Sequence, residues 1–207
     1  TFIAELADGS GRCGHDVGVI YLAKKGPFGF WRKPNECFWR VAIKAQAEVL
    51  SNTVGLGAFA ALRRYTSGAD IIHLHHPWPF GDLVKLLAAP NAKCLVTYHS
   101  DIVRQRLLAK VCSPLILSTL NSASRIITTS ENYARSSAIL QRFREKTVSI
   151  PIGLKDRVGP DYDKGGEISA NKPIKALFIG VLRYYKGLDF LIRAIQPLPC
   201  ELYILGG

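Results

Sequence analysis

The sequence GVLRYYKGLDFLIRAI, residues Gly180–Ile195, places a basic turn between an apolar strand and a helix. The strand is predicted from the apolar run Ala176–Ile179. The helix is predicted from apolar residues that recur at helical spacing, namely Leu188, Leu191, Ile192 and Ile195. A helix start offers unpaired N–H groups and a partial positive charge, and Arg183 and Lys186 add full charges beside it. We therefore predict that this turn binds a phosphate.

Length and composition indicate a globular protein. The chain has 207 residues, of which 48% are hydrophobic and 21% charged, enough for one complete core and part of another. Uncharged apolar stretches such as Leu86–Pro90 are far shorter than the ~20 residues that cross a bilayer, and the amino end lacks a signal-peptide pattern. The five cysteines are scattered without a CxxC pair, which argues against a disulfide framework or a zinc knuckle. We expect a reducing, cytoplasmic location.

The formal net charge of +11 favours anionic partners. Nucleotide phosphates, acidic lipid headgroups and nucleic acid all satisfy that condition. Net charge by itself does not choose among them.

Two features of the sequence predict that the chain is a piece of a longer protein, truncated at both ends. It contains no methionine, and it stops at Gly206 and Gly207, directly after a predicted strand. A strand that ends in two glycines is typically followed by a ligand loop and another crossover.

Short apolar runs alternate with longer helical patterns along the first part of the chain. These runs are Val17–Leu22, Asp70–His75, Cys94–Tyr98, Arg125–Thr129 and Thr147–Ile150. The alternation predicts an α/β fold with a Rossmann-like parallel sheet and helices on both faces.

The helical patterns carry their own boundary signals. The helix after the Cys94–Tyr98 run is predicted to have an apolar face of Val103, Leu107, Leu108 and Val111. Pro114 should kink or end this helix. Ser130 is predicted to cap a further helix that runs through Leu140. A helix under way at residue 1 should stop at Gly9 and Gly11.

The composition changes after residue 150. Residues 151–173 are rich in glycine, proline, aspartate and lysine, which is typical of a linker between domains. We predict a first Rossmann-like domain at 1–150, a linker at 151–173 and the start of a second Rossmann-like domain at 174–207.

Several segments together resemble a known family. They are Gly14–Val17, Ala69–Pro77, Val96–Gln105, Ile126–Ser130, Ile150–Gly153 and Gly180–Gly187. In order and spacing they are similar to the retaining GT-B glycosyltransferases of group 1, family 4-like. This group includes mannosyl- and other hexosyltransferases of lipopolysaccharide, O-antigen and exopolysaccharide assembly.

The resemblance implies two Rossmann-type domains that face a cleft. The first would hold a glycan or lipid-linked acceptor, and the second would hold a nucleotide-diphospho-sugar, which is a substrate, so no further cofactor is expected. Relatives carry a glycine-rich loop that would lie before Thr1 and an acidic E-x7-E element that would lie beyond Gly207. We therefore expect this stretch of chain to be inactive by itself.

For the donor diphosphate, the resemblance implies a site made of Gly180, Arg183, Lys186 and Gly187. Many relatives have an arginine directly after the first of these glycines. This chain has Val181 there, and Arg183 follows two places on. The alternative is a solvated basic turn, and Tyr184 and Tyr185 either flank the nucleotide or pack beside the linker.

His99 follows a predicted strand at the point where α/β sheets present groups to ligands. In similar enzymes a histidine here contacts the donor sugar near the reacting carbon. We treat His99 as a catalytic-site candidate that orients a sugar hydroxyl or shares a proton. A capping or core histidine is the alternative.

His73 and His75 alternate onto one face of a predicted strand. They fit a metal pair less well than strand-end groups that line the acceptor cleft, because a third ligand is missing nearby, and no metal site is predicted. His76 is placed at the rim of the same cleft, together with Asp101, which we expect to cap the following helix rather than act as a general base.

Aromatic and basic residues are mixed in Phe28–Lys33 and again in Cys37–Arg40. This composition is typical of a membrane interface. We expect the stretch to contact acidic lipid or a lipid-linked acceptor on the inner face of the plasma membrane. Packing of the same aromatic side chains onto the core of the first domain is the alternative.

The sequence thus predicts part of a retaining hexosyltransferase. The alternative from another class is a noncatalytic module that binds nucleotides or polyanions. Nucleic acid is not an expected partner, because the chain lacks an RNP, zinc-finger or helix-turn-helix signature.

Overall fold

The computed structural model describes residues 2–49, 52–101, 106–153 and 174–206. The chain folds as two compact units, Thr1–Lys155 and Asp156–Gly207, and each is described by itself. Most of the predicted linker lies outside the described residues. The domain limits given above therefore stay predictions.

The elements follow one another as a mixture of helices and strands. The helices are α1 (Phe2–Arg12), α2 (Gly57–Thr66), α3 (Pro79–Ala88), α4 (Arg106–Ser122), α5 (Glu131–Ser136), α6 (Ala138–Gln141) and α7 (Leu188–Ile195). The strands are β1 (Gly18–Ala23), β2 (Gly29–Trp31), β3 (Trp39–Lys44), β4 (Ala47–Val49), β5 (Asn52–Val54), β6 (Ile72–His76), β7 (Cys94–Tyr98), β8 (Arg125–Thr128), β9 (Thr147–Ser149), β10 (Ile174–Ile179) and β11 (Cys200–Leu205).

The larger sheet of the first unit is parallel and has the order β6-β7-β8-β9. Its strands lie within two residues of the predicted apolar runs. Helices cover it, and the buried core joins the sheet to α4 and α6. This core consists of Cys94, Val96, Tyr98, Ile116, Leu120, Ala123, Ile126 and Leu140. The predicted parallel sheet flanked by helices is confirmed.

A second core lies at the β6 side of the sheet and joins it to α2 and α3. Its buried members are Ala58, Leu62, Ile72 and Val84. Partly buried residues of the amino-terminal strands pack against it, namely Ile20, Leu22 and Ile43. The two cores together fix the edge of the sheet that carries the histidines.

The amino-terminal strands form a separate small sheet of order β1-β3-β2. Strand β1 is parallel to β3, and β2 is antiparallel to it. The sequence predicted β1 but not β2, β3 or the β4–β5 hairpin. The reason is that β3 begins inside the aromatic and basic stretch, where Arg40 interrupts the apolar pattern although its side chain is buried.

Helix α1 runs through Gly9 and Gly11, so the prediction that these glycines stop it is wrong. Gly11 serves a different purpose, because a Cβ there would lie 2.0 Å from the carbonyl oxygen of Cys37. Asp8 adds a polar contact to the same place by accepting the backbone N–H of Cys37 at 3.1 Å. The glycine thus permits a close packing of helix against loop.

Helix α4 continues beyond Pro114 to Ser122, so of the two predicted effects, a kink or an end of the helix, the end is excluded. Packing of Ile116 and Leu120 in the core outweighs the loss of one backbone hydrogen bond. The predicted apolar face is also wrong at Val111, which is 71% exposed. Val103 and the side chains of Leu107 and Leu108 lie outside the described part of the chain.

Ser130 caps the next helix as predicted, since its Oγ accepts the N–H of Tyr133 at 3.1 Å. The helix does not run unbroken to Leu140, however. Ser137 interrupts it and caps α6 by accepting the N–H of Leu140 at 3.3 Å. Two short helices therefore replace the single predicted one, because serine side chains compete for backbone N–H groups.

The second unit contains a β-α-β arrangement of β10, α7 and β11. The two strands are parallel, with Ile174 beside Cys200 and Ile179 beside Leu205. The predicted strand and helix are thus present on either side of the basic turn. Gly180 and Gly206 follow the two strands and approach closely, because a Cβ at Gly206 would lie 2.1 Å from the Gly180 carbonyl oxygen.

Candidate functional site

Three histidines lie together along two neighbouring parallel strands, β6 and β7. His73 and His75 belong to β6, and their rings are 4.6 Å apart at an angle of 29°. His99 follows β7, and its Nε2 lies 3.1 Å from Nδ1 of His75. The prediction that His73 and His75 share one face of the strand is confirmed. We call His73, His75 and His99 the imidazole cluster.

Neighbouring side chains hold the imidazole cluster in place. The Nε2 atom of His73 lies 2.7 Å from Oγ1 of the buried Thr97. The ring of Phe2, at the start of α1, meets the rings of His75 and His99 edge to face, with centroids 6.0 and 5.8 Å away. The cluster is therefore packed on a hydrophobic wall as well as hydrogen-bonded.

Burial makes protonation of the imidazole cluster unfavourable. It lowers the pKa of His75 to about 3, with smaller contributions from His73, His99 and His76. Burial likewise lowers the pKa of His73 and that of His99. All three rings are neutral at pH 7, because desolvation penalises the charged form.

The depressed pKa of His75 predicts acid sensitivity of the fold. In the unfolded chain this imidazole titrates near pH 6.5, whereas in the folded chain it titrates near 3, so unfolding takes up a proton between these values. The free energy of unfolding should therefore fall as the pH decreases through this window, by about 1.4 kcal/mol per pH unit for one proton.

Urea denaturation of the parent chain and of His75→Asn at pH 7.5, 5.5 and 4.5 measures this effect. The asparagine variant lacks the titrating ring and should lose less stability on acidification than the parent. Equal losses in both chains would assign the acid sensitivity to other groups.

His76 is not at the rim of a cleft, so that prediction is wrong. Its side chain is buried, and the residue as a whole is 2% exposed. Consecutive residues of a strand point to opposite faces, and His76 therefore points away from His75. Its Nε2 lies 2.7 Å from Oδ1 of Asp82, a fully buried carboxylate in the first turn of α3.

Asp101 joins two segments of the first unit by its carboxylate. Oδ1 accepts the hydroxyl of Tyr98 and the hydroxyl of Ser137, each at 3.0 Å. Burial first, and the Asp101 charge second, raise the pKa of Tyr98. Residues 102–105, which follow Asp101, lie outside the described residues, so its predicted role as a helix cap stays a prediction.

A cavity of about 190 Å³ lies beside Asp101. Its lining is mainly apolar and comprises Tyr98, Asp101, Ser113, Ile116, Leu117, Ala138 and Ile139. A role of Asp101 or His75 in an acceptor cleft stays a prediction.

A metal site does not emerge from the described ranges. Within residues 2–49, 52–101, 106–153 and 174–206, no group of three or more histidine, cysteine, aspartate or glutamate side chains could hold a metal ion. In the imidazole cluster, two ring nitrogens bind each other and a third binds a threonine hydroxyl.

The aromatic and basic stretch divides between core and surface. Phe38 is buried, and the Arg40 guanidinium lies between the rings of Trp31 and Phe38, 4.7 and 4.1 Å from their centroids. Glu36 pairs with the same guanidinium, one of the two contacts being 2.7 Å long. Packing inside the first unit thus accounts for Trp31, Phe38 and Arg40. The two remaining phenylalanines, Phe28 and Phe30, are 47% and 58% exposed.

The basic turn of the second unit has the geometry of a tight entry into a helix. A 3₁₀ turn at Tyr184–Lys186 leads to Gly187, whose φ of 67° lies in the left-handed region that favours glycine. Gly187 is the N-cap of α7, and its carbonyl accepts the N–H of Leu191 at 3.0 Å. Arg183 and Lys186 are both exposed on this turn.

The remaining predicted residues of the turn lie beside these two cations. Val181 and Tyr184 are also exposed, and the side chain of Tyr185 lies outside the described side chains. Gly180 donates its N–H to the carbonyl of Leu205 at 2.9 Å, which ties the start of the turn to β11. Binding of a diphosphate by Gly180, Arg183, Lys186 and Gly187 stays a prediction.

Sequence reasoning did not single out Phe2 or Thr97. A signal for Thr97 was available, because parallel pairing of β6 with β7 places His75 beside Thr97. The contact of Phe2 with the imidazole cluster depends on tertiary packing of α1, for which the sequence carries no local signal.

Comparison with known proteins identifies the family. The profile of Glycosyltransferase Family 4 matches residues 1–156, three quarters of the sequence, and the chain belongs to this family. The resemblance stated from the motifs is thereby confirmed.

Two relatives show where the similarity extends. The chain is 37% identical over 212 residues to D-rhamnosyltransferase WbpZ of Pseudomonas aeruginosa, an alignment that covers 99% of this chain and 54% of the relative. It is 37% identical over 163 residues to the O-antigen chain mannosyltransferase C of Escherichia coli, covering 77% of this chain and 44% of the relative. The chain thus spans about half the length of the relatives it matches.

Proposed function

We propose that this chain is part of a retaining glycosyltransferase that moves a hexose from a nucleotide-diphospho-sugar to a hydroxyl of a glycan or lipid-linked acceptor. Family membership supports sugar transfer, and the two relatives support an acceptor in O-antigen or lipopolysaccharide assembly. The observation that carries the proposal is the pair of exposed cations, Arg183 and Lys186, at the glycine-capped start of α7.

The two units take different roles in this proposal. Residues 1–150 form the acceptor side, residues 151–173 the linker, and residues 174–207 the start of the donor side. His99 and His75 belong to the acceptor side, and the basic turn belongs to the donor side. The family profile, which matches residues 1–156, supports the first assignment, and the histidines and the basic turn each lie within one unit.

The proposed reaction is a substitution at the anomeric carbon. The bond from this carbon to the diphosphate oxygen breaks, and its electron pair goes to the leaving diphosphate. The acceptor oxygen forms the new bond on the same face and loses its proton. Negative charge grows on the diphosphate, so fixed cations at a helix start stabilise the transition state more than the ground state.

Titration of the chain with nucleoside diphosphates tests the proposal. We expect saturable binding of UDP or GDP, with preference for one base, and weak binding of a single-stranded oligonucleotide of similar charge. Salt-sensitive oligonucleotide binding without nucleotide preference would instead support a noncatalytic polyanion-binding module. Absence of any nucleotide binding would contradict the donor role of the turn.

Peripheral attachment to the inner face of the plasma membrane is the second part of the proposal. Every helix in the described ranges is too short or too polar to span a bilayer. Phe28 and Phe30 are both exposed, although the Phe30 ring also contacts Trp39 and Tyr65. Their segment carries Lys24, Lys25 and Lys33 as well, which suits contact with acidic lipid.

Sedimentation with vesicles that contain anionic phospholipid measures this attachment. We expect the double variant Phe28→Ser, Phe30→Ser to bind at least ~10-fold more weakly than the parent, because two aromatic side chains no longer enter the interface. Leu86→Ser, Leu87→Ser changes two exposed apolar residues of α3 and is the matched control. Unchanged binding of the phenylalanine variant would end the membrane proposal.

A further inference from the structure

The contact between His75 and His99 joins two ring nitrogens. Nδ1 of His75 lies 3.1 Å from Nε2 of His99, and the two ring planes are nearly parallel, at 17°. A neutral imidazole has one N–H, which donates, and one bare nitrogen, which accepts. A hydrogen bond between these two atoms therefore uses the N–H of one ring and the bare nitrogen of the other.

The need for one donor and one acceptor couples the tautomers of the two rings. If His75 donates from Nδ1, His99 accepts at Nε2 and must carry its own hydrogen on Nδ1. If His99 donates from Nε2, His75 must carry its hydrogen on Nε2. In either case both rings hold the same tautomer. The nitrogen of His99 left for a ligand is Nδ1, and it is a donor in the first case and an acceptor in the second.

We propose that His75 is a positioning residue whose tautomer is coupled to that of His99 through this hydrogen bond, and that the pair thereby decides how Nδ1 of His99 hydrogen-bonds to a substrate hydroxyl. That the ligand is a sugar hydroxyl rests on the proposed function. The coupling of the two rings does not. His75 is itself held by its ring contact with His73, which binds the Thr97 hydroxyl at 2.7 Å.

The surroundings of the pair favour hydrogen bonding over proton uptake. Within the described ranges, the titratable groups shown to act on His99 are His75, His73 and His76, and all three are imidazoles. The ring of Phe2 covers both imidazoles from the side of α1. Of the two roles predicted for His99, orientation of a hydroxyl is therefore favoured over sharing of a proton.

Nitrogen-15 NMR of the chain labelled at histidine tests the coupling directly. At pH 7 we expect a scalar coupling between Nδ1 of His75 and Nε2 of His99 across the hydrogen bond. We also expect chemical shifts that report the same neutral tautomer for both rings. Opposite tautomers, or no coupling between the nitrogens, would overturn the proposal.

Substitutions separate positioning from simple packing. In His75→Asn the amide lies where Nδ1 was and offers both a donor and an acceptor, so Nε2 of His99 should stay hydrogen-bonded. In His75→Leu the partner is lost, and the His99 shifts should become an average of two tautomers. His73→Asn removes a neighbouring ring but not the bond, so it is the matched control and should leave His99 unchanged. An unchanged single tautomer in His75→Leu would overturn the proposal.

A binding measurement connects the pair to the sugar. For the nucleotide that binds, the affinity ratio of GDP-mannose to GDP, or of UDP-glucose to UDP, should fall about 10-fold in His75→Leu, as expected for one lost hydrogen bond. It should recover in His75→Asn. If neither nucleotide binds the parent, the proposed function fails while the NMR result still decides the coupling. An unchanged ratio in His75→Leu would overturn the role toward the sugar.

Discussion

Replacing Asp82 by alanine is expected to lower the free energy of unfolding by about 1–3 kcal/mol. The carboxylate is fully buried, and its partner, the Nε2 atom of His76, lies 2.7 Å away with equally little access to water. Truncation leaves a buried imidazole without its partner and opens a cavity against the sheet. Denaturation by guanidinium chloride, followed by circular dichroism, measures the change.

Two companion variants make this result specific. Asp82→Asn keeps the shape and one oxygen acceptor, so it should cost less than the alanine variant. Asp70→Ala changes an exposed carboxylate that precedes the same strand, and it should alter stability by no more than about 0.5 kcal/mol. If Asp82→Ala lost less than about 1 kcal/mol, the pair would not be a structural element of the fold.

Reversing both charges of the basic turn should abolish measurable binding of a nucleoside diphosphate. In the double variant Arg183→Glu, Lys186→Glu, two attractive contacts with phosphate become repulsive. Each hydrogen bond to a charged group contributes about 1.5–3 kcal/mol, so the loss of affinity should exceed ~100-fold. Isothermal titration of the chain with the nucleotide that binds the parent measures this loss.

A second double variant controls for net charge. Lys175 lies at the beginning of β10 and Arg193 in the last turn of α7, both exposed and both at the end of the β-α-β arrangement away from the turn. Lys175→Glu, Arg193→Glu changes the net charge by the same amount and should weaken binding only a few-fold. Equal losses in the two double variants would attribute affinity to overall charge and contradict a site at the turn.

Much of the larger sheet was predictable because its central strand, β7, is buried on both faces. Such strands appear in the sequence as uninterrupted apolar runs, as in Cys94–Tyr98, whose observed bounds match the prediction. Strand β3 was not predictable by the same rule. Its Arg40 is neutralised by Glu36 and enclosed by aromatic rings, which are tertiary contacts that no local pattern reveals.

The candidate site was predictable to the extent that it depends on strand ends. His75 and His99 follow the rule that parallel strands present ligand groups at their carboxyl ends. The burial of His76 also follows from strand alternation, which places neighbours on opposite faces. By contrast, the link from Asp101 to Ser137 crosses 36 positions of the sequence and depends on how the helices pack.

The ring of Phe2 adds a practical consequence. Because α1 places this ring against both His75 and His99, a change that displaces α1 would alter the surroundings of both imidazoles. The two histidine resonances therefore report on the position of α1, and a shift shared by both rings in a variant that keeps both histidines would indicate movement of that helix.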